Sequence, residues 1–168
     1  TINEKSDAKP VKLPPIRQRP ELARAMKEKL DNLLQHGLIR KSISPYGAPA
    51  FMVEQTATQG SESVKKQRLV VNFKGLNQQT ETNATSLPHI DELIARLSKA
   101  KVFSKLDLTS GFHQVRMKES DISKTAFTTP FGHFEWVVMP FGEKNAPATF
   151  VQLLNQLVLV DLVHDKTV

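Results

Sequence analysis

Apolar residues recur at three- and four-residue intervals in the first quarter of the chain, and this repeat predicts a helix. The repeating positions are Leu22, Met26, Leu30, Leu33 and Leu34. Such spacing places them on one face of an α-helix. Pro20 stands just before the repeat and Gly37 just after it, which is typical of helix ends. Residues 1–20 carry four prolines among basic residues and predict an extended, poorly packed lead-in.

Two strand-like, largely apolar runs follow this helix and predict a β-hairpin. The first run covers residues 50–54 and the second covers residues 68–73. Between them, residues 55–67 are polar, with Lys65 and Lys66 near their end, and we expect a mobile basic tip there. The pattern predicts a loop over residues 74–88, which precede the next periodic segment.

The second half of the chain alternates short helical and strand-like segments. Pro88 and the apolar spacing after it predict a short helix over residues 88–97. Strands are predicted at 102–108, 112–117, 125–129 and 134–139, the last two forming a hairpin. Asn145 is positioned to cap a final helix that carries Phe150, Leu153 and Leu157 on one face. Together these elements predict an α+β fold with a mostly antiparallel sheet.

Composition narrows the class of protein without identifying it. The 168 residues include 23 Lys+Arg, 17 Asp+Glu and no Cys, with a net charge of +6. The lack of Cys excludes disulfides, thiolate metal sites and cysteine nucleophiles. No apolar run approaches the roughly 20 residues of a membrane span, and residues 1–12 lack a signal core. We therefore expect a protein that is not secreted and has no membrane partner, and its basic excess permits a polyanionic partner.

Asp107 is the most informative acid, because it ends an apolar run and a Ser-Gly break follows it at once. A carboxylate at a strand end can face a cleft and bind Mg²⁺ through a hard oxygen ligand. The alternative is that Asp107 caps a turn through nearby backbone amides, which Asp residues commonly do. The local context leaves both interpretations open.

The run from Val102 to Val115 resembles the first catalytic motif of reverse transcriptases, and most resembles that of gypsy-class LTR retrotransposons. Further blocks resemble the same family in the same order. They lie at residues 16–20, 37–40, 44–46, 68–73, 76–77, 124–127, 139–142 and 145–150. The resemblance implies the fingers and part of the palm of an RNA-directed DNA polymerase. It divides the chain into an extended lead-in (1–20), a fingers-like region (21–88) and a partial palm (89–168).

The resemblance also implies a role for each matching residue. Asp107 matches the first metal-binding aspartate, and the backbone carbonyl of Leu108 matches a second metal contact. Phe112 matches the aromatic residue that excludes a 2′-OH, although a Phe in such a run can also be a core residue. Phe141 and Gly142 match the turn that lines the nucleotide and template pocket.

Two basic residues match the fingers groups that contact the triphosphate. Arg68 matches the fingers arginine, with a solvated edge-strand charge as the alternative. Lys66, with Lys65, lies near a fingers lysine in a loosely aligned loop. The implied reaction is two-Mg²⁺ phosphoryl transfer from a dNTP to a primer on an RNA or DNA template. Basic residues that could follow the nucleic acid are Lys99, Lys101, Lys105, Arg116 and Lys118.

The sequence departs from the family pattern chiefly in its carboxylates. The family's Tyr-x-Asp-Asp hairpin is expected just after Val168, and Asp161 and Asp165 are poor substitutes for it. Ser110, Asn72 and the pair Glu143-Lys144 also differ from common family residues.

We therefore expect this chain to be inactive alone. As partners it would need the remaining palm, thumb and RNase H regions of its parent polyprotein. The alternative is a non-catalytic remnant that binds nucleic acid or a protein partner.

Overall fold

The structure is a computed structural model that describes residues 1–59, 62–83, 91, 94–95, 98, 101–103, 105 and 107–157. Its centre is a five-stranded sheet of order β1-β5-β4-β2-β3. The strands are β1 (Ile39–Lys41), β2 (Ala48–Gln59), β3 (Glu62–Val71), β4 (Phe127–Thr129) and β5 (Gly132–Trp136). The β2–β4 pair is parallel and the other three pairs are antiparallel. The predicted α+β fold with a mostly antiparallel sheet is confirmed.

Four α-helices whose ends both fall in the described part of the chain accompany this sheet. They are α1 (Pro20–Gln35), α2 (Lys74–Gln79), α3 (Glu119–Ile122) and α4 (Ala146–Leu157). The predicted first helix is confirmed as α1, whose buried residues include Met26, Leu30 and Leu33. They form one core with sheet residues such as Phe127 and Trp136. Among the residues described, no helix is long and apolar enough to span a membrane.

The β2–β3 hairpin is much longer than the sequence pattern predicts. The runs at 50–54 and 68–71 do form strands, whereas residues 72–73 lie beyond the end of β3, and the pairing continues without interruption to Gln59 opposite Glu62. The prediction of a loop over 55–67 is therefore wrong, and the two residues at the tip lie outside the described part. Thr56, Thr58 and Val64 are β-branched residues that favour extended backbone in a paired ribbon.

The lead-in is extended and most of its residues are exposed, as predicted, but it is anchored to the rest of the fold at two points. Ile2 is buried to 3% exposure, and its N–H donates to Asp121 Oδ2 at 3.0 Å. Lys124 Nζ donates to the Ile2 carbonyl at 2.7 Å. Farther along, the Gln18 amide bonds both the N–H and the carbonyl of Met52, each at 2.9 Å. Hydrogen bonds to residues far away in the sequence, at Met52, Asp121 and Lys124, thus anchor the lead-in, and a local pattern cannot reveal them.

Three further local predictions are corrected. Residues 74–79 form α2 instead of a loop, with Asn72 Oδ1 accepting from the Lys74 N–H at 3.1 Å at its start. The described residues of 102–108 have irregular backbone, because within that part they pair with no strand. Gly111–Gln114 is a 3₁₀ helix, so the strand predicted over 112–117 is wrong in its first half.

The last part of that stretch and the following hairpin agree better with the pattern. Met117 N–H donates to the Val137 carbonyl at 2.9 Å, so residues 115–117 run extended beside 137–139. The predicted hairpin around Pro130 is confirmed as β4 and β5. The helix predicted over 88–97 falls largely outside the described residues.

Candidate functional site

A cleft of about 790 Å³ lies between the hairpin, the turn after Asp107 and the start of α4. Side chains from α1, β2, β3, β5 and α4 line it. Six of the seven residues predicted from the sequence are among them. They are Arg68, Asp107, Leu108, Phe112, Phe141 and Gly142. The fold therefore brings residues far apart in sequence to one concave surface, which is the usual form of a ligand site.

Arg68 reaches the cleft from β3, opposite Val53 on β2. Its Nη1 donates to Gln55 Oε1 at 3.1 Å, and the side chain remains exposed. Lys66 is exposed two residues away on the same strand, outside the set of lining residues. Alternate residues of a strand face the same side, so Lys66 extends the positive face toward the hairpin tip.

Asp107 and Leu108 lie on the opposite side of the cleft, where the chain reverses direction. Asp107 is exposed, and Ser110 reverses the backbone by adopting φ +50° and ψ +46°, a left-handed conformation. The Ser110 carbonyl then accepts from the His113 N–H at 2.8 Å. This turn leads directly into the 3₁₀ helix that carries Phe112.

Phe112 is part of an aromatic cluster that forms the cleft wall. Its ring centroid lies 4.9 Å from that of Phe141 and 5.2 Å from that of Phe150. Phe141 is 52% exposed, so its ring covers one side of Phe112 while remaining accessible from the cleft. Both interpretations of Phe112, as a core residue and as a residue of the site, agree with this arrangement, because the ring packs on its neighbours and also lines the cleft.

His113 and Trp136 line the cleft behind this cluster, and sequence reasoning did not single them out. Their ring centroids are 4.9 Å apart, and His113 also lies 5.1 Å from Phe141. His113 Nε2 and Trp136 Nε1 are buried without a hydrogen-bond partner among the described groups. Burial lowers the pKa of His113 below its usual 6.5, and the nearby Lys29 ammonium lowers it further. Burial and the Lys29 charge therefore both favour the neutral form of the His113 imidazole.

The start of α4 differs from its prediction. Asn145 does not use its side chain as the helix cap, because Oδ1 accepts from the Asn83 N–H and Nδ2 donates to the Glu81 carbonyl. Glu143 lies just before the helix, and its Oε1 accepts from the N–H of Asn145, the residue at the N-cap position, at 3.0 Å. Glu143 is buried, and burial raises the pKa of its carboxyl above the usual 4.5.

The residues present fit only part of a divalent-metal site. Asp107 offers a carboxylate and Leu108 a backbone carbonyl, both hard oxygen donors suited to Mg²⁺. Within the described ranges, however, no group of three or more His, Asp or Glu side chains is placed to hold a metal ion. Asp161 and Asp165 lie outside those ranges.

Comparison with known proteins supports one family. The family model for "Reverse transcriptase (RNA-dependent DNA polymerase)" matches residues 55–160. The chain is 45% identical over 144 residues to the retrovirus-related Pol polyprotein from transposon opus of Drosophila melanogaster. It is 36% identical over 156 residues to the enzymatic polyprotein of Cauliflower mosaic virus (strain NY8153).

These matches cover most of this chain and a small part of each relative. They span 86% of the chain and 14% of the opus polyprotein, and 93% of the chain and 22% of the viral one. The fold is similar to that of a prototype foamy virus protease–reverse transcriptase, with a TM-score of 0.75 and 23% identity. That likeness covers 93% of this chain and 21% of the foamy virus chain. The chain belongs to the reverse transcriptase (RNA-dependent DNA polymerase) family.

Proposed function

We propose that the cleft binds a deoxynucleoside triphosphate and that the chain is part of the reverse transcriptase of a gypsy-class LTR retrotransposon polyprotein. In this proposal residues 1–20 are the lead-in, 21–88 the fingers and 89–168 the adjoining palm. The observation that carries the proposal is the convergence of Arg68, Asp107 and Phe112, with their cleft neighbours, around one opening. The kinship to retrotransposon polyproteins supports an intracellular site of action, in a cytoplasmic particle or the nucleus.

Each cleft residue has a role in this proposal that its chemistry supports. Arg68, with Lys66 beyond it, would neutralise the triphosphate, which a guanidinium does well through paired N–H donors. Asp107 and the Leu108 carbonyl would hold Mg²⁺, which supplies charge neutralisation for phosphoryl transfer when bound. Phe112 would lie beneath the sugar, where its ring leaves no room for a 2′-OH. Phe141 and Gly142 would form the wall beside the base.

The polyanionic partner we propose is a primer paired to an RNA or DNA template. A second groove of about 560 Å³ lies beyond Gly142 and carries the exposed Lys74 and Lys144. Lys101, Lys105, Arg116 and Lys118 are also exposed. Cations of this kind suit a phosphate backbone, and such binding weakens steeply with salt.

The single tryptophan offers a direct test of nucleotide binding, because Trp136 lines the cleft. We expect Trp136 fluorescence to change on titration with dNTP and Mg²⁺. Asp107→Asn and Arg68→Ala should each weaken binding about tenfold or more, equivalent to about 1.4 kcal/mol. Asp31→Asn and Arg24→Ala, on the exposed face of α1, are the matched controls.

Two outcomes would contradict the proposal. One is the lack of any saturable dNTP response in the wild-type chain, and the other is an equal loss in the cleft and control variants. A primer-extension assay separates binding from catalysis. We expect no incorporation by this chain alone, since the described cleft contributes a single carboxylate. Salt-sensitive primer–template binding without any dNTP binding would favour the non-catalytic remnant instead.

A further inference from the structure

One side chain of α2 holds the turn that carries Phe141. Asn77 Nδ2 donates to the Gly142 carbonyl at 2.9 Å, and Asn77 Oδ1 accepts from the Lys144 N–H at 2.9 Å. A single planar amide therefore binds two backbone groups on either side of Glu143. We infer that Asn77 is a positioning residue for the nucleotide site, acting through Gly142 on the ring of Phe141. This inference rests on the proposed function.

The two hydrogen bonds of Asn77 belong to a larger set that joins residues 77–83 to residues 142–145. Lys144 Nζ donates to the Thr80 carbonyl at 2.8 Å. Asn145 Nδ2 donates to the Glu81 carbonyl at 2.9 Å, and its Oδ1 accepts from the Asn83 N–H at 3.0 Å. With the two bonds of Asn77, five hydrogen bonds join residues 142–145 to residues 77–83. Lys144, at one of the positions that differ from common family residues, thus helps to hold the two segments together.

The turn has a geometry that needs such support. Gly142 has a backbone φ of +89°, a conformation that residues other than glycine rarely adopt. The Phe141 ring lies 4.9 Å from that of Phe112 and 5.1 Å from that of His113, and it remains 52% exposed. The position of its ring therefore depends on where the turn backbone is held. A displacement of the turn would change the gap between Phe141 and Phe112.

The segment that holds the turn is itself fixed. Thr80 is fully buried, and its Oγ1 donates to the Leu76 carbonyl at 2.8 Å. Residues 79–81 pair with the lead-in, because Lys5 N–H donates to the Gln79 carbonyl and Glu81 N–H donates to the Asn3 carbonyl, both at 2.8 Å. Asn77 therefore transmits the position of a rigid anchor to the cleft wall.

Two substitutions of Asn77 separate its two hydrogen bonds. Asn77→Asp keeps an acceptor for the Lys144 N–H but places a carboxylate oxygen against the Gly142 carbonyl oxygen. Asn77→Ala removes both bonds. Gln78→Ala is the matched control, because Gln78 is the next residue of the same helix and is exposed.

Amide hydrogen exchange in the full chain tests the positioning directly. We expect the Lys144 amide to exchange slowly in the wild type and in Asn77→Asp, and fast in Asn77→Ala. The Trp136 titration with dNTP and Mg²⁺ tests its consequence. We expect both Asn77 variants to bind dNTP about tenfold more weakly, a loss comparable to one hydrogen bond, while Gln78→Ala binds like the wild type.

The two readouts distinguish failure of this inference from failure of the proposed function. Unchanged exchange at Lys144 in Asn77→Ala would overturn the positioning role. Faster exchange with unchanged dNTP affinity would overturn its link to the nucleotide site. If the wild-type chain binds no dNTP, it is the proposed function that fails, and the exchange pattern alone decides whether Asn77 holds the turn.

Discussion

Gly111 and Phe150 approach each other so closely that a β-carbon on residue 111 would lie 2.9 Å from Phe150 Cζ. Phe150 in turn supports Phe112, whose ring centroid lies 5.2 Å away. The glycine thus allows the turn after Asp107 to rest directly on α4. This contact fixes the distance between the acidic side of the cleft and its aromatic wall.

We expect Gly111→Ala to destabilise the chain by about 1–3 kcal/mol, the usual range for overpacking. The methyl group would force the Phe150 ring, and with it Phe112, to move. Gly75→Ala is the matched control. Gly75 lies within α2, and a β-carbon there would make an ordinary contact with Val11 at 3.7 Å. That control should be neutral or stabilising by up to about 1 kcal/mol. Urea unfolding, monitored by Trp136 fluorescence, measures the stability of both variants. Equal changes in the free energy of unfolding would contradict the packing argument.

His113 should make the stability of the chain depend on pH. Its folded-state pKa lies below the usual 6.5, chiefly through burial, so the unfolded chain takes up a proton more readily. The free energy of unfolding should therefore fall as pH drops through 6.5 toward the lowered pKa. His113→Phe keeps an aromatic ring between Trp136 and Phe141 and should reduce this dependence.

The comparison is made by urea titrations of wild type and variant at pH 7.5 and pH 5.5. His36→Phe, at the exposed end of α1, is the control. If wild type and His113→Phe lose the same free energy of unfolding between pH 7.5 and pH 5.5, then His113 does not titrate as argued.

Glu143 should contribute a pH dependence of the opposite sign. Burial raises the pKa of its carboxyl above 4.5 in the folded state, so the folded chain holds this proton more tightly than the unfolded chain. Its contribution to stability falls as pH rises through the interval between 4.5 and the raised value. Glu143→Gln keeps an acceptor for the Asn145 N–H and carries no charge. Relative to wild type, the variant should therefore gain stability from pH 4.5 to pH 7.

Urea unfolding at those two pH values measures this difference, with Glu28→Gln on the exposed face of α1 as the control. Glu143→Ala, which removes the acceptor of the Asn145 N–H, should cost about 1 kcal/mol at pH 4.5 and less at pH 7. A Glu143→Gln variant less stable than wild type at pH 7 would indicate that the charge itself holds α4.

The buried pair of Asp121 and Lys124 should be far stronger than a surface pair of similar geometry. Asp121 is 1% exposed, and its Oδ1 accepts from Lys124 Nζ at 2.9 Å. Asp121→Ala leaves the Lys124 ammonium and the Ile2 N–H without this partner and should cost about 3 kcal/mol. A double-mutant cycle with Lys124→Ala isolates the coupling between the two side chains.

Lys27 and Asp31 provide the reference pair, with Nζ and Oδ2 3.1 Å apart and both side chains 62% exposed. Their cycle should give about 0.3–0.5 kcal/mol, as exposed helical pairs do. A coupling between Asp121 and Lys124 no larger than this would mean that burial adds nothing to the pair.

Local patterns predicted the elements that have a clear apolar pattern and missed those that lack one. The repeat from Leu22 to Leu33 is long enough to identify α1, whereas α2 buries only Leu76 and has no periodicity to detect. The ribbon over 55–67 was mistaken for a loop because its polar residues are stabilised by cross-strand pairing, which composition does not reveal.

The cleft was easier to predict than its supports. Arg68, Asp107 and Phe141 belong to sequence blocks whose order resembles a known family, so their convergence followed from the resemblance. Asn77 and His113 act through partners about 65 and 23 residues away, at Gly142 and Trp136, and no local signal connects them. Asn145 was assigned to the nearest helix end, although its side chain binds a segment more than 60 residues earlier.

The anchoring of Ile2 by Asp121 has a consequence for synthesis on the ribosome. The two residues are separated by 119 positions. At about 5–20 residues per second, the wait between making them is roughly 6–24 s. During that time the lead-in emerges without the carboxylate and ammonium that will bind it, and Ile2 stays open to other contacts. Docking of the lead-in through Ile2 must therefore wait until the chain has been synthesised at least as far as Asp121 and Lys124.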